Sequence, residues 1–219
     1  MQRFFDVILS FFAIVFFSPI LFLVSLILRF TGEGEIIYRQ ERVGADGKIF
    51  GLLKFATMLK NSPNIGSRNL TLENDSRVLP VGKFLRKSKL NELPQLFNIF
   101  FGDMSVIGPR PMVPSTFEKY PFSGREKIKL VRPGLSGIGS IMFRDEEKFL
   151  GNHDNPTEFY EKIIIPYKSE LECWFIDRYS IFLYFKIIFL TLLIVLKPSS
   201  KAVKYAFKDL PLPPNELKF

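Results

Sequence analysis

The sequence predicts a mostly helical α+β domain with an apolar N-terminal attachment, on three observations. No residue between 7 and 28 is charged. Further along, apolar residues recur at i, i+3, i+4 and i+7, the spacing of one helix face, while only one pair of short β-like runs flanks a turn. Hydrophobic residues make up 47% of the 219 positions, yet 24% are charged, and these stud the long middle of the chain. A bundle of spanning helices, each needing about 20 apolar residues, does not fit that distribution.

Composition narrows the function classes. Lys+Arg number 30 and Asp+Glu 22, a net charge of +8 that suits either nucleic acid or an anionic membrane surface. The 25 Phe lie mainly in apolar helical stretches rather than alternating with basic residues on exposed strands, which serves base stacking poorly, so no nucleic-acid partner is expected. The single Cys173 cannot form an intramolecular disulfide, and a reducing, cytoplasmic setting is expected. Three segments follow: a membrane helix over 1–30, a catalytic body over 31–196, and a basic, proline-rich tail over 197–219.

The first element is the apolar run VILSFFAIVFFSPILFLVSLIL. At about 1.5 Å per residue its 22 positions reach across a hydrocarbon core of roughly 30 Å. A charged RFTGEGE follows it instead of a small-x-small cleavage site, so the segment is expected to be kept. Ser18 and Pro19 sit mid-run; proline removes a backbone donor and clashes with the carbonyl four residues back, which predicts a kink, with Ser18 as a substitute donor. A kinked spanning helix and a re-entrant one that leaves by the face it entered both fit. Arg3 before the run and Arg29, Arg39 and Arg42 after it favour the re-entrant form with both ends on the cytoplasmic side.

Residues 36–39 and 49–54 read as a hairpin around Gly44-Ala45-Asp46-Gly47, and residues 60–76 as an exposed loop. Val81, Phe84, Leu85 and Ser88 mark one helix. Leu93, Leu96, Phe97 and Phe100 mark a second, stopped by Gly102, which puts Asn91 and Glu92 at its mouth. VIGPRPMVP and VRPGLSGIGS read as connectors carrying Arg110 and Arg132. Residues 158–177 look helical apart from Pro166. The 16-residue run 181–196, with Lys186 inside it, is too short to span and is expected to be interfacial or core-packed. The tail is expected to fray or lie on the surface.

The usual catalytic inventory is thin. His153, the lone histidine, reads as a solvated loop residue, and no Walker-type or dinucleotide-type glycine loop is present. What stands out is a polar set: Arg42, Lys54, Lys83, Arg86, Lys87, Lys89, Glu92, Asp103, Arg110 and Arg132. Guanidinium forks suit phosphate oxygens, and a carboxylate beside them can hold Mg²⁺ or attack phosphorus. Most single cations of this kind are solvated surface charges. Arg110 and Arg132 differ, because flanking Pro and Gly fix where each guanidinium points.

The order of Ser18-Pro19, RVGADGKIF, LLKFATM, LRKSKLNELPQLFNIFFGDMSVIGPRP and VRPGLSG closely resembles the bacterial sugar transferases, the small monotopic phosphoglycosyl transferases, over about residues 4–137. The resemblance implies transfer of a phosphosugar from a nucleotide sugar, UDP-linked in the first instance, to polyprenol phosphate. That step initiates assembly of a cell-surface polysaccharide or glycoconjugate. It also implies Mg²⁺ as cofactor, a re-entrant helix hairpin broken at Ser18 and Pro19, and a body resting on the cytoplasmic face of the bacterial inner membrane. Of the family's catalytic Asp-Glu pair the matching positions are Asn91 and Glu92. Arg42, Lys54, Arg86, Arg110 and Arg132 fall to substrate binding, and Glu92 and Asp103 to metal.

Three departures stand out. A neutral amide is a poor nucleophile and a weak Mg²⁺ ligand, so Asn91 should not attack. Either Glu92 takes over, the lipid phosphate attacks directly, or the protein is catalytically impaired and acts as a sugar-nucleotide-binding or enzyme-binding membrane partner. As plain structure, Asn91 would be a helix N-cap. Ala56 stands where the family usually has Arg, and Tyr184 where many relatives carry Asp. The sugar, the base and the oligomeric state, a homo-oligomer included, are left open.

Overall fold

The computed structural model describes residues 1–31, 33–62, 75–144, 150, 155–196, 203 and 205–217. Its first element is α1 (Gln2–Arg29), long and apolar enough to cross a membrane. One stripe faces the rest of the chain along the whole length of α1: Asp6, Ser10, Val24 and Leu28 are buried, with Ala13, Ile14, Phe17 and Leu21 partly so. These positions recur at three or four residues, so a single helix face packs inward. The opposite face, with Phe4, Phe11, Phe12, Val15, Phe16, Phe22 and Leu26, is open.

The expected break at Ser18 and Pro19 does not interrupt this helix. Proline cannot donate to the Val15 carbonyl, and the Ser18 hydroxyl donates to that oxygen instead at 2.8 Å. The freed acceptor is satisfied locally, and the helix runs on.

Strands β1 (Ile37–Val43) and β2 (Ile49–Phe55) form the expected antiparallel hairpin, β1 extending four residues further than its sequence signal. The register pairs Tyr38 with Lys54, Gln40 with Leu52 and Arg42 with Phe50, so Arg42 and Lys54 share a face. Helices α2 (Pro80–Lys87) and α3 (Gln95–Phe101) follow their apolar spacing, with a 3₁₀ turn, Leu90–Glu92, between them. Gly102 ends α3 at φ +103°, a left-handed conformation that glycine adopts without strain, and its N–H returns to the Asn98 and Ile99 carbonyls.

The Gly/Pro-rich connectors contain a second, two-stranded sheet. β3 (Ser105–Ile107) pairs parallel with β4 (Gly134–Ser136), across a connection holding α4 (Pro114–Phe117) and α5 (Phe122–Ile128). Three-residue strands give no readable alternation, which is why the sequence showed only connectors. Next come α6 (Ile138–Met142) and α7 (Pro156–Phe159). A π turn, Tyr160–Ile164, joins α7 to α8 (Ile165–Asp177), and the wider turn lies just before Pro166, which has no N–H to donate.

Helix α9 (Ile181–Leu196) is core-packed on one face through Leu183, Tyr184, Ile187, Leu190 and Ile194, while Phe182, Phe189 and Leu192 stay exposed. The described part of the tail does not fray: Val203, Phe207 and Leu217 are buried in the main core with Trp174 and Leu171. Lys186 holds it by donating to the Ala206 carbonyl and lying over the Phe207 ring. Of the loop expected over 60–76, positions 63–74 lie outside the described residues, as does His153. The loop's flanks are joined by a bridge between Met58 and Val78, beside a buried ion pair of Arg77 with Asp75.

Candidate active site

Four segments distant in sequence line one cleft. The hairpin supplies Arg42, Leu52 and Lys54, the turn before α3 supplies Glu92, and α3 opens with Gln95. The loop after β3 supplies Arg110 and Pro111, and β4 supplies Gly134 and Leu135. Asn98 fixes β2 against α3: its side-chain oxygen accepts from the Leu53 N–H at 2.9 Å and its amide donates to the Gly51 carbonyl at 2.9 Å. The strand carrying Lys54 is thereby locked beside the helix that follows Glu92.

Electrostatics set the character of the cleft. Burial alone would push the Glu92 carboxyl up, but Arg110, Lys54, Lys89 and Arg42 outweigh it and hold the group below its ordinary value. Burial brings the Lys54 ammonium down to about 7, with Arg42, Arg110 and Arg86 adding to the effect against Glu92. Burial and Arg110 likewise lower Arg42, to about 10. One carboxylate thus faces a surplus of cations, which is an anion-binding site.

Each anticipated residue has a definite place. Arg42, Lys54, Glu92 and Arg110 converge on the cleft, and Arg86 is close enough to act on Lys54 electrostatically. Arg42 also braces the cleft wall by donating to the Pro111 carbonyl at 2.9 Å. Asn91 caps no helix. It is buried in the 3₁₀ turn, and its Oδ1 has no hydrogen-bond partner among the described residues. Arg132 and Asp103 lie at the far end of α3, about 10 Å along the helix axis from its start. There Arg132 Nε donates to the Gly102 carbonyl and Asp103 accepts from Asn98. Ala56 is buried and brings no charge.

Asp103 and Glu92, at opposite ends of α3, do not form a shared metal site. No group of three or more His, Cys, Asp or Glu side chains converges among the described residues. What fits a divalent ion is the ionised Glu92 carboxylate with the unpartnered Asn91 oxygen beside it in sequence. That pair is too small to cage Mg²⁺ alone and suited to one that arrives bound to phosphates.

Four residues escaped the sequence reading. Gln95 and Asn98 are buried polar residues in the apolar ELPQLFN helix, and Glu172 is one in α8; a polar side chain on an otherwise apolar face was the available signal. Asp6 is the fourth. Its Oδ1 accepts from the Ser105 hydroxyl, the Val106 N–H and the Tyr184 hydroxyl, joining the start of α1 to β3 and α9. Tyr184, noted as a departure, thus has a structural role, and burial with Asp6 beside it raises its hydroxyl above the ordinary value.

Known proteins similar to this chain are named as sugar-phosphate transferases and exopolysaccharide-production proteins. The chain is 37% identical over 194 residues to a UDP-glucose:undecaprenyl-phosphate glucose-1-phosphate transferase of Klebsiella pneumoniae, covering 87% of this chain and 39% of that protein. It is 36% identical over 162 residues to the exopolysaccharide production protein ExoY of Sinorhizobium fredii, 68% of this chain and 71% of that one. It is 30% identical over 212 residues to an undecaprenyl-phosphate galactose phosphotransferase of Salmonella typhimurium, 90% of this chain and 40% of that one. The chain spans 39% and 41% of the length of two of its curated relatives. Residues 1–198 match the family described as bacterial sugar transferase, and the chain belongs to that family.

Proposed function

We propose that the chain is a phosphoglycosyl transferase. It moves a phosphosugar from a nucleotide diphosphate sugar, in the first instance a UDP-sugar, onto polyprenol phosphate at the cytoplasmic face of the bacterial inner membrane, initiating polysaccharide assembly. The observation that carries this is the cleft of Arg42, Lys54 and Arg110 around the single carboxylate of Glu92. Relatives named as UDP-sugar or undecaprenyl-phosphate transferases supply the substrate classes. The alternative of a catalytically impaired partner gains nothing from those names.

Chemically, Arg42, Lys54 and Arg110 neutralise the diphosphate and orient its β-phosphorus toward Glu92. An oxygen of the ionised carboxylate attacks that phosphorus, and the bond to the α-phosphate oxygen breaks. The nucleoside monophosphate departs as an anion. A phosphate oxygen of the polyprenol phosphate then attacks the same phosphorus and returns the electron pair to Glu92. Neither displacement needs a proton, which suits a carboxylate held ionised. Mg²⁺ carried by the donor, with Glu92 and Asn91 Oδ1 as protein ligands, would offset charge building on the phosphate oxygens.

The membrane arrangement belongs to the same proposal. The acceptor's polyprenyl chain leaves a bilayer at about 0.8 kcal/mol per CH₂, so the soluble donor must be brought to it. Packing of one α1 face against the body from Asp6 to Leu28 supports a helix kept within one leaflet, and a course with both ends on the same side requires it to bend at Ser18 and Pro19 without losing its helical continuity. The open faces of α1 and α9 would then meet lipid. The test is release of UMP from a panel of UDP-sugars by purified protein with Mg²⁺ and undecaprenyl phosphate. Turnover of one sugar confirms the class; no UMP from any of them, with the protein folded, removes the enzyme reading.

A further inference from the structure

Gln95 opens α3 three residues after Glu92. The backbone between them stays right-handed helical: Leu93 has φ −52° and ψ −36°, and Pro94 has φ −61° and ψ −17°. Hydrogen bonds along this segment close after three residues. The Glu92 N–H donates to the Lys89 carbonyl at 3.1 Å, Leu93 to Leu90 at 3.2 Å and Leu96 to Leu93 at 3.0 Å. In such a winding, side chains three apart eclipse one another. Glu92 and Gln95 therefore stand side by side on one face, and both line the cleft with Lys54 and Arg110.

The two amides of α3 are used differently. Asn98 is engaged by the fold, with bonds to Leu53, Gly51 and Asp103. The Gln95 side chain, on a residue only 4% exposed, makes no hydrogen bond among the described residues and faces the cleft. A Leu or Met would fill the same volume without withdrawing an amide from water. What such a side chain lacks is a donor aimed into the cleft. Arg42, Lys54 and Arg110 attract a diphosphate before the reaction as much as during it, and uniform binding of that kind does not raise kcat. A neutral amide exerts little long-range pull. It acts at hydrogen-bond range, on an atom brought to the right place.

We propose that Gln95 is a catalytic residue whose Nε2 donates a hydrogen bond to a non-bridging oxygen of the transferring β-phosphoryl group. The role rests on the transferase reading above and deepens it. As a Glu92 oxygen forms its bond to the β-phosphorus, the bond to the bridging oxygen of the α-phosphate breaks, and that oxygen departs with the electron pair on the nucleoside monophosphate. Gln95 gives up no proton. It steadies one oxygen of the moving group while charge redistributes over it. With Cβ atoms about 5–6 Å apart on one helical face, the amide reaches a phosphoryl group that is in contact with the Glu92 carboxylate.

The test is turnover by the full chain in detergent micelles with Mg²⁺, undecaprenyl phosphate and the UDP-sugar that wild type accepts, alongside UDP binding by calorimetry and thermal unfolding. Gln95→Leu lowers kcat by about a hundredfold. KM for the UDP-sugar and Kd for UDP stay within about threefold, and Tm holds or rises, since a buried polar group is removed. Gln95→Glu keeps the shape but replaces the donor with a carboxylate that repels phosphate oxygens, so its kcat falls at least as far. Should Gln95→Leu fail to fold, Gln95→Met, unbranched and of similar length, takes its place; unfolding of both makes the amide structural and ends the role. A kcat for Gln95→Leu within about threefold of wild type overturns the role, and so does a loss confined to KM. Absence of UMP release by wild type from every UDP-sugar sinks the transferase reading and this role with it; wild-type turnover that is insensitive to position 95 sinks this role alone.

Discussion

The two ends of α3 carry the same residue types and use them in opposite ways. At its C-terminal end Arg3 donates to the Ile99 and Phe100 carbonyls, Arg132 to the Gly102 carbonyl, and Asp103 accepts from Asn98. Those charges are engaged by the fold. At the N-terminal end Glu92 stands among Arg110, Lys54, Lys89 and Arg42 in a cleft lined by four separate segments. A helix end with unsatisfied carbonyls recruits guanidinium groups as caps, whereas cations gathered around one carboxylate leave net positive charge facing an opening. Net charge in a local sequence window does not distinguish a cap from a site. The partner of each guanidinium does.

The sharpest way to break that contrast is at Glu92. Glu92→Gln preserves shape and removes the charge and the nucleophile, so UMP release falls by about a thousandfold or more. Residual turnover near wild type would shift the attack to the lipid phosphate itself. Arg110→Ala is next: loss of one guanidinium from a diphosphate lowers kcat/KM by about a hundredfold, about 2.7 kcal/mol. A fall no larger than that of an exposed lysine elsewhere would show that Arg110 does not reach the donor.

How much of this was legible in the sequence differs between the two ends. The hairpin, the two helices around Leu85 and Leu96, and Glu92 beside Lys54 and Arg110 followed from apolar spacing and from the ELPQLFN and GPRP segments. Arg132 was grouped with Arg110 because both are flanked by proline. Proline restricts the backbone and says nothing about which carbonyl is near, and the Arg132 partner is 30 residues away in sequence. Asp6 was missed for a related reason: it owes its role to a contact with β3, 100 residues distant. The tail was read from composition, and burial of Phe207 and Leu217 is a tertiary event that composition does not encode.

A pH series sharpens the N-terminal end. The Lys54 ammonium, brought down to about 7, is charged below that pH and neutral above it in the free protein. Donor phosphates favour the charged form, so UDP affinity weakens as pH rises through 7, by up to about tenfold toward pH 8.5. Glu92, held below its ordinary value, stays ionised across that range and adds no step. Lys54→Met flattens the profile at the weak-binding level. A slope that survives Lys54→Met would place the titrating group elsewhere.

The smallest expected effect belongs to the C-terminal end and tests whether it is only a cap. Arg132 is exposed, and its Nε bond to the Gly102 carbonyl competes with water. Arg132→Ala should therefore lower stability by about 0.5–1 kcal/mol, which for a domain of this size is a Tm shift of about 1–4 °C. Its KM for the UDP-sugar and its kcat should stay within about twofold of wild type, since no cleft residue is lost. Measured side by side, Arg110→Ala should move KM with little change in Tm, and Arg132→Ala should move Tm with little change in KM. A rise in KM for Arg132→Ala comparable to that of Arg110→Ala would mean that the donor extends along α3 to its far end, and the division of labour between the two ends would have to be redrawn.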